Sequence, residues 1–419
     1  MLESVGISDK KLESYLNIVP DDLLTEIRIF GQALSGVRLC HLSAPPFGGG
    51  ITELLYALVP LERDLGLHVD WLALRTDERF FGIGKKIHNA LQGGPTDISE
   101  QDKIAYLQFN RDIARNLDAN SYDVIIVHTA NLLCLPHSIR PDGMKWIWRC
   151  HQDTSAPEQS MWHFLEPYLN QFQGAIFTLP EFAPTGLKSP LLAYIHPAID
   201  PLSPKNRELP VAECAGLVAD YGIDPQRPIL LHVSRLDQWK DPLGLIDCYY
   251  AAKDSVPDLQ FIIISSLSLD DPDTFQTLRI VDAEATKDVD IHVFTNMDGF
   301  GDVEVNAFQR VCSLGIQKSI REGFGMAVAE MLWKGKPVVG SRVGGITLQL
   351  AGKLDFCLAS DVSECAGKIV RLLTDAKFAS ELGLLGRENV RQHFLSPRLL
   401  RDELAFLAKL LKRRHDLSL

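Results

Sequence analysis

Two carboxylates, Glu322 and Glu330, lie on either side of a glycine-rich turn in the run Ser319-Ile320-Arg321-Glu322-Gly323-Phe324-Gly325-Met326-Ala327-Val328-Ala329-Glu330. Glycines at such a turn let backbone N–H groups approach a phosphate where a helix begins. A carboxylate in the turn and another about two helical turns on can each accept hydrogen bonds from a pair of hydroxyls. The pattern suits a polyhydroxylated, phosphorylated ligand. The same letters also suit a solvated helix residue after an ordinary strand-to-helix turn, so the rest of the chain decides.

Three other groups of residues carry compatible chemistry. Gly48-Gly49-Gly50 follows an apolar run, and ordering three glycines costs backbone entropy that a phosphate or sugar contact would offset. Ser234-Arg235-Leu236-Asp237-Gln238-Trp239-Lys240 follows another. There, Arg235 offers a planar fork and Lys240 a point charge to a diphosphate, unless both are plain surface cations. Trp148-Arg149-Cys150-His151-Gln152-Asp153 places His151 where one ring nitrogen can meet a sugar hydroxyl. Arg149, Asp153 and Trp162 are candidates for holding an acceptor, although large aromatics such as Trp148 and Trp162 more often pack a core. His128-Thr129-Ala130-Asn131 ends a further apolar run and is assigned no chemistry. The acidic run Asp270-Asp271-Pro272-Asp273 reads as a helix cap or solvated loop before a metal site.

These residues need elements to position them. Apolar runs at 37–42, 68–74, 123–128 and 144–151 predict parallel strands, with helices near 51–65, 101–118 and 160–172 between them. A second series of strands is predicted at 228–234, 259–265, 290–295, 313–317 and 336–340, with helices at 302–311, 325–334 and 397–413. The proline-rich stretch 197–210 reads as a linker. The expected architecture is α/β, two Rossmann-like doubly wound domains facing each other across a cleft. The expected domains are an N-terminal acceptor domain with a helical leader (1–205), a C-terminal donor domain (206–396) and a last helix (397–419) that packs back on the N-terminal domain.

Composition narrows the class. The chain has 419 residues and a net charge of −12. Its one basic run, Lys412-Arg413-Arg414, comes at the very end, which argues against a nucleic-acid groove. Eight scattered cysteines without a C-x-x-C pair fit buried thiols in a cytoplasmic chain. Neither a signal-peptide pattern nor an apolar run of membrane-spanning length is expected. The G-x-S-x-G elbow, the P-loop and the G-x-G-x-x-G fingerprint are all missing.

Gly48-Gly49-Gly50, Ser234-Arg235 through Lys240, Glu322 through Glu330, and Val343-Gly344-Gly345 together resemble the retaining glycosyltransferases of family 4, which have the two-domain GT-B fold. Four longer runs carry a more specific resemblance. They are Trp146 through Asp153, Lys85-Lys86-Ile87-His88-Asn89-Ala90-Leu91-Gln92-Gly93, Glu304-Val305-Asn306-Ala307-Phe308-Gln309-Arg310, and Ser319 through Gly325. They are similar to the trehalose glycosyltransferring synthases and their relatives, the retaining trehalose phosphorylases.

That resemblance implies roles. Arg235 and Lys240 would hold the diphosphate and stabilise its charge as it leaves. Glu322 would bind donor-sugar hydroxyls, Glu330 the ribose, and His151 the donor sugar near its primary hydroxyl. Gly49 and Gly50, with Gly323, Phe324 and Gly325, would lie against the donor. The implied reaction is reversible synthesis of trehalose from NDP-glucose and glucose with retention, by a front-face route without an enzymatic nucleophile. UDP- or ADP-glucose would be the substrate, with no required cofactor or metal and Mg2+ as a stimulant at most. The implied partners are small sugars, with no nucleic acid and no membrane span, and a homodimer is one candidate assembly. The alternatives are a trehalose phosphorylase, a family 4 transferase with another acceptor, a sugar-nucleotide epimerase, or a non-catalytic nucleotide-sugar-binding protein. An epimerase would need acid and base side chains around C2 of the sugar, and the sequence offers no such set. The chain departs from the synthase pattern at His41-Leu42-Ser43-Ala44, at His128-Thr129-Ala130-Asn131 and at Gln152, all on the expected acceptor side.

Overall fold

Runs such as Arg38–Ser43 and Gln260–Ser265 are buried along nearly their whole length, as strands covered by helices on both faces must be. The computed structural model describes residues 1–44, 49–75, 78–139, 142–267 and 272–413. Gly48, Asp270, Asp271 and Arg414 lie outside the described residues. The chain divides into two compact units, Met1–Pro197 with Ser396–Leu419, and Ala198–Leu395. Residues 198–205 therefore cluster with the second unit.

In the first unit the elements run β1 (Leu2–Ser4), α1 (Asp21–Leu34), β2 (Arg38–Ser43), α2 (Gly50–Asp64), β3 (His68–Leu74), α3 (Glu78–Leu91), α4 (Glu100–Asn116), β4 (Val124–Val127), α5 (Leu135–Ser138), β5 (Lys145–Arg149), α6 (Gln159–Leu169), β6 (Gly174–Phe177) and β7 (Leu191–Tyr194). The sheet order is β1-β3-β2-β4-β5-β6-β7, parallel except for β1, which pairs antiparallel with β3. After β2 the chain adds β3 on one side and then returns to add β4 on the other. The C-terminal ends of β2 and β4 are thus the topological switch point, where doubly wound sheets leave a crevice for ligands. The last helix of the chain, α15 (Ser396–Leu410), belongs to this unit. It lies against α1, where Arg401 pairs with Glu26 at 2.5 Å. The Phe406 ring on α15 fills the space beside Gly174, where a Cβ would stand only 2.8 Å from it.

The second unit runs α7 (Val211–Asp220), β8 (Ile229–Val233), α8 (Pro242–Lys253), β9 (Gln260–Ser265), α9 (Pro272–Ala285), β10 (Ile291–Thr295), α10 (Asp302–Val311), β11 (Leu314–Gln317), α11 (Met326–Trp333), β12 (Val338–Ser341), α12 (Gly344–Leu350), β13 (Leu358–Ala359), α13 (Val362–Thr374) and α14 (Ala376–His393). Its all-parallel order β10-β9-β8-β11-β12-β13 puts the switch point between β8 and β11. The run Glu304 through Arg310 falls on α10 and ties down the incoming chain. Asn306 donates to the carbonyls of Pro204 and Arg207, and Arg310 pairs with Glu208. No helix among the described residues is long and apolar enough to cross a membrane. All eight cysteines are free and buried.

Candidate functional site

The segments after β8 and β11 meet at the second unit's switch point. Following β8, Asp237 caps a short 3-10 turn over Gln238–Lys240, and this turn delivers the Lys240 ammonium. Following β11, Glu322 turns its carboxylate back towards it. Lys240 Nζ lies 2.5 Å from Glu322 Oε2, and Ser319 donates to the same oxygen at 3.0 Å. Behind them, His232 on β8 is fully buried. Its Nδ1 lies 3.0 Å from the Ile316 carbonyl and its Nε2 2.6 Å from Ser234 Oγ. Burial pushes the His232 pKa down to about 4, so the ring is neutral and adds no charge of its own.

The glycine turn is held from the far side. Gly325 has φ of +85°, a left-handed conformation that favours glycine, and it opens α11. A Cβ on Gly345 would stand 2.2 Å from the Phe324 Cα, so α12 can lie against the turn only because residue 345 has no side chain. Gly345 N donates to the Glu322 carbonyl, and the buried Gln349 donates to the Phe324 carbonyl at 2.6 Å. Gln349 is absent from the sequence motifs, and Ser319 and Gly345 stand in them without an assigned role.

The other candidates are placed less uniformly. Arg235 is 57 % exposed and lies 3.5 Å from Asp237, apart from the Lys240–Glu322 pair. Glu330 is buried on α11. Its Oε2 accepts from Gln309 at 2.8 Å, and its Oε1 is 4.0 Å from Lys205. The neighbouring Lys334 donates to Asn206 and Gln309, and burial drives its pKa down to about 7. A polar recess beside the turn is lined by Asp241, Lys318, Ser319, Ile320, Arg342 and Ser360, with Asp241 and Lys318 ion-paired inside it.

In the first unit, Gly49 (φ +114°) turns the chain into α2, leaving Gly50 as its first residue. His151 follows β5, and the neighbouring Gln152 donates to the His88 carbonyl at the end of α3. Asp153 is buried and accepts from Ser155 N and Oγ, so it closes a local turn. Trp162 is buried on α6 and does packing work. Arg149 lies deeper than its place at a strand end suggests. Its side chain is fully buried, 3.6 Å from Glu403 on α15, and it donates to the Ile195 carbonyl. It therefore faces the C-terminal helix.

Comparison with known proteins now decides the family. The family "Trehalose synthase, N-terminal domain" matches residues 41–184, and "Glycosyl transferases group 1" matches residues 217–388. A trehalose synthase of Rubrobacter xylanophilus is 42 % identical over 98 % of this chain and 100 % of its own length. The chain belongs to the trehalose synthase family. It is a glycosyltransferase with the GT-B fold. A trehalose phosphorylase of Pleurotus pulmonarius is more distant, at 24 % identity over 84 % of this chain and 54 % of its own length. The solved α,α-trehalose 6-phosphate synthase of Burkholderia multivorans shares the fold with a TM-score of 0.68, at 16 % identity, over 92 % of this chain and 100 % of that one.

Proposed function

We propose that this protein is a retaining glucosyltransferase that makes trehalose from an NDP-glucose and glucose, reversibly. The end-to-end match to a trehalose synthase carries this reading. In it, the second unit holds the donor. Lys240 and Arg235 neutralise the diphosphate, with Lys240 leaving Glu322 to meet the phosphate as charge develops on it. Glu322, already fixed by Ser319, accepts from donor-sugar hydroxyls. Glu330 accepts from Gln309 through one oxygen and offers the other, 4.0 Å from Lys205, to a ribose hydroxyl. Within the first unit, His151 is assigned a contact to a sugar near its primary hydroxyl, and Gly49 and Gly50 an approach to phosphate or sugar. Eight buried free thiols are consistent with a cytoplasmic setting.

Incubation with UDP- or ADP-glucose and a panel of sugars tests the reading. Trehalose should appear with glucose as acceptor and from one of the two donors without added phosphate. Transfer to a different sugar with no trehalose formed would contradict it.

A further inference from the structure

Three histidines stand at the ends of three adjacent strands. His41 lies near the end of β2, His128 directly after β4, and His151 two residues beyond β5. Because β2, β4 and β5 are neighbours in the sheet, the rings lie side by side, with successive centroids 5.2 Å apart. Each gap is closed by a hydrogen bond between ring nitrogens. His41 Nδ1 is 2.9 Å from His128 Nε2, and His128 Nδ1 is 2.9 Å from His151 Nε2. At the inner end His41 Nε2 is 3.0 Å from Glu62 Oε2 on α2, and both side chains are fully buried. At the outer end no partner for His151 Nδ1 occurs among the described residues.

A neutral imidazole has one N–H and one lone pair, so each bond in such a line dictates the next. With Glu62 as acceptor four arrangements satisfy every bond, one with three neutral rings and three with a single imidazolium at His41, His128 or His151. The carboxylate beside His41 and the burial of the other two rings select two of them, the His41 imidazolium and the neutral line. In the first, His41 is an imidazolium. It donates through Nε2 to Glu62 and through Nδ1 to His128, His128 donates through Nδ1 to His151, and His151 presents Nδ1–H outwards. In the second, all three rings are neutral. His151 donates to His128, His128 to His41 and His41 to Glu62, so His151 presents a bare Nδ1 lone pair. The two differ by one proton. It leaves at His151 Nδ1 while each inner proton moves across one hydrogen bond, and the positive charge lost is that of His41.

We propose that Glu62, His41 and His128 are positioning residues that set the tautomer of His151, and so decide whether its Nδ1 meets a sugar as donor or as acceptor. The role of the sugar rests on the glucosyltransferase reading, whereas the line of protons does not. The surroundings keep the charge at the inner end. Burial opposes the His41 imidazolium, but the Glu62 carboxylate outweighs it and lifts the His41 pKa above its ordinary value, with help from Glu403 on α15. Burial holds His128 and His151 well below theirs, reinforced by the charge of Arg149 on β5. Glu403, which faces Glu62 and His41 as well as Arg149 and Arg398, is itself raised by burial. The donor form of His151 therefore exists below the raised His41 pKa and is lost as pH rises through it.

The test reads ring nitrogens directly. The full-length protein, labelled with 15N-histidine and free of substrate, is titrated with pH, with His41 and His151 assigned by the signals lost in His41→Gln and His151→Gln. His151 should pass from Nδ1–H to Nε2–H at the midpoint of His41. In Glu62→Gln both midpoints should fall together by about one pH unit or more. His128→Phe supplies a second readout, because it breaks the line and should free the His151 tautomer from the His41 titration. A His151 that keeps one tautomer while His41 titrates in the wild type would overturn the proposal, whether or not either variant folds. Coupled titration without any response of His151 to added NDP-glucose would leave the line standing and count against the donor-sugar contact.

Discussion

The Lys240 ammonium stands 2.5 Å from the Glu322 carboxylate, across the switch point between β8 and β11. The pair joins a cation that would neutralise a diphosphate to a carboxylate that would hold sugar hydroxyls. Each therefore preorganises the other before a donor arrives. Lys240→Ala and Glu322→Ala should each lower kcat/KM by roughly 100-fold or more while leaving the melting temperature near that of the wild type. The double variant should lose less than the product of the two, because both changes remove one shared contact. Initial rates and thermal melts on the four proteins check this, and full activity in either folded single variant would remove the assignment.

Gly345→Ala should misplace the turn that carries Glu322. Its Cβ would meet the Phe324 Cα at 2.2 Å and the Phe324 carbonyl at 2.6 Å, so the turn or α12 must move. Displacing a substrate-holding segment by about 1 Å can cost on the order of 100-fold in rate. Steady-state kinetics with donor as the varied substrate should show that loss. A variant with wild-type kinetics would mean that the Phe324 turn does not position donor.

Folding stability should fall on the acid side through His232. Its folded pKa of about 4 lies below the ordinary 6.5, so between those values the unfolded chain binds more protons than the native one. The stabilisation is fully present above pH of about 6.5 and is lost as pH falls towards 4, by roughly 3 kcal/mol at about 1.4 kcal/mol per pH unit. Denaturant unfolding at a series of pH values should show this slope flattened in His232→Gln. An equal slope in both proteins would contradict it.

Arg149→Met should act on stability rather than on the choice of acceptor. It leaves the buried Glu403 without its ion-pair partner, a loss of about 3–5 kcal/mol for a broken buried pair. Adding Glu403→Leu should restore much of it, since replacing both charges removes the uncompensated one. Thermal melts of the single and double variants check the sign. A change in the ratio of rates between two acceptor sugars would return Arg149 to the binding site.

Most of the sheet was legible because buried parallel strands read as unbroken apolar runs, as at Gln260–Ser265. The strands at Gly174–Phe177 and Leu191–Tyr194 were missed, since four residues beside loop letters carry little pattern. Leu2–Ser4 was missed because its pairing with β3 is set by tertiary context. Glu322 and Lys240 stood out by residue type and by their place after a strand, whereas their mutual contact depends on sheet order. The burial of Arg149 was not legible, because a cation at a strand end looks accessible until the distant Glu403 is folded against it. The run Glu304 through Arg310 was visible as a motif, yet much of its hydrogen bonding pins residues 204–208.

The central claim, transfer of glucose from a nucleotide to glucose with retention, is tested most directly by following NDP-[1-13C]glucose and unlabelled glucose by NMR. The labelled carbon should move from the α-configured donor into α,α-trehalose, with one NDP released per disaccharide and no dependence on inorganic phosphate. A β-configured product, or trehalose turnover that requires phosphate and yields glucose 1-phosphate, would contradict the account.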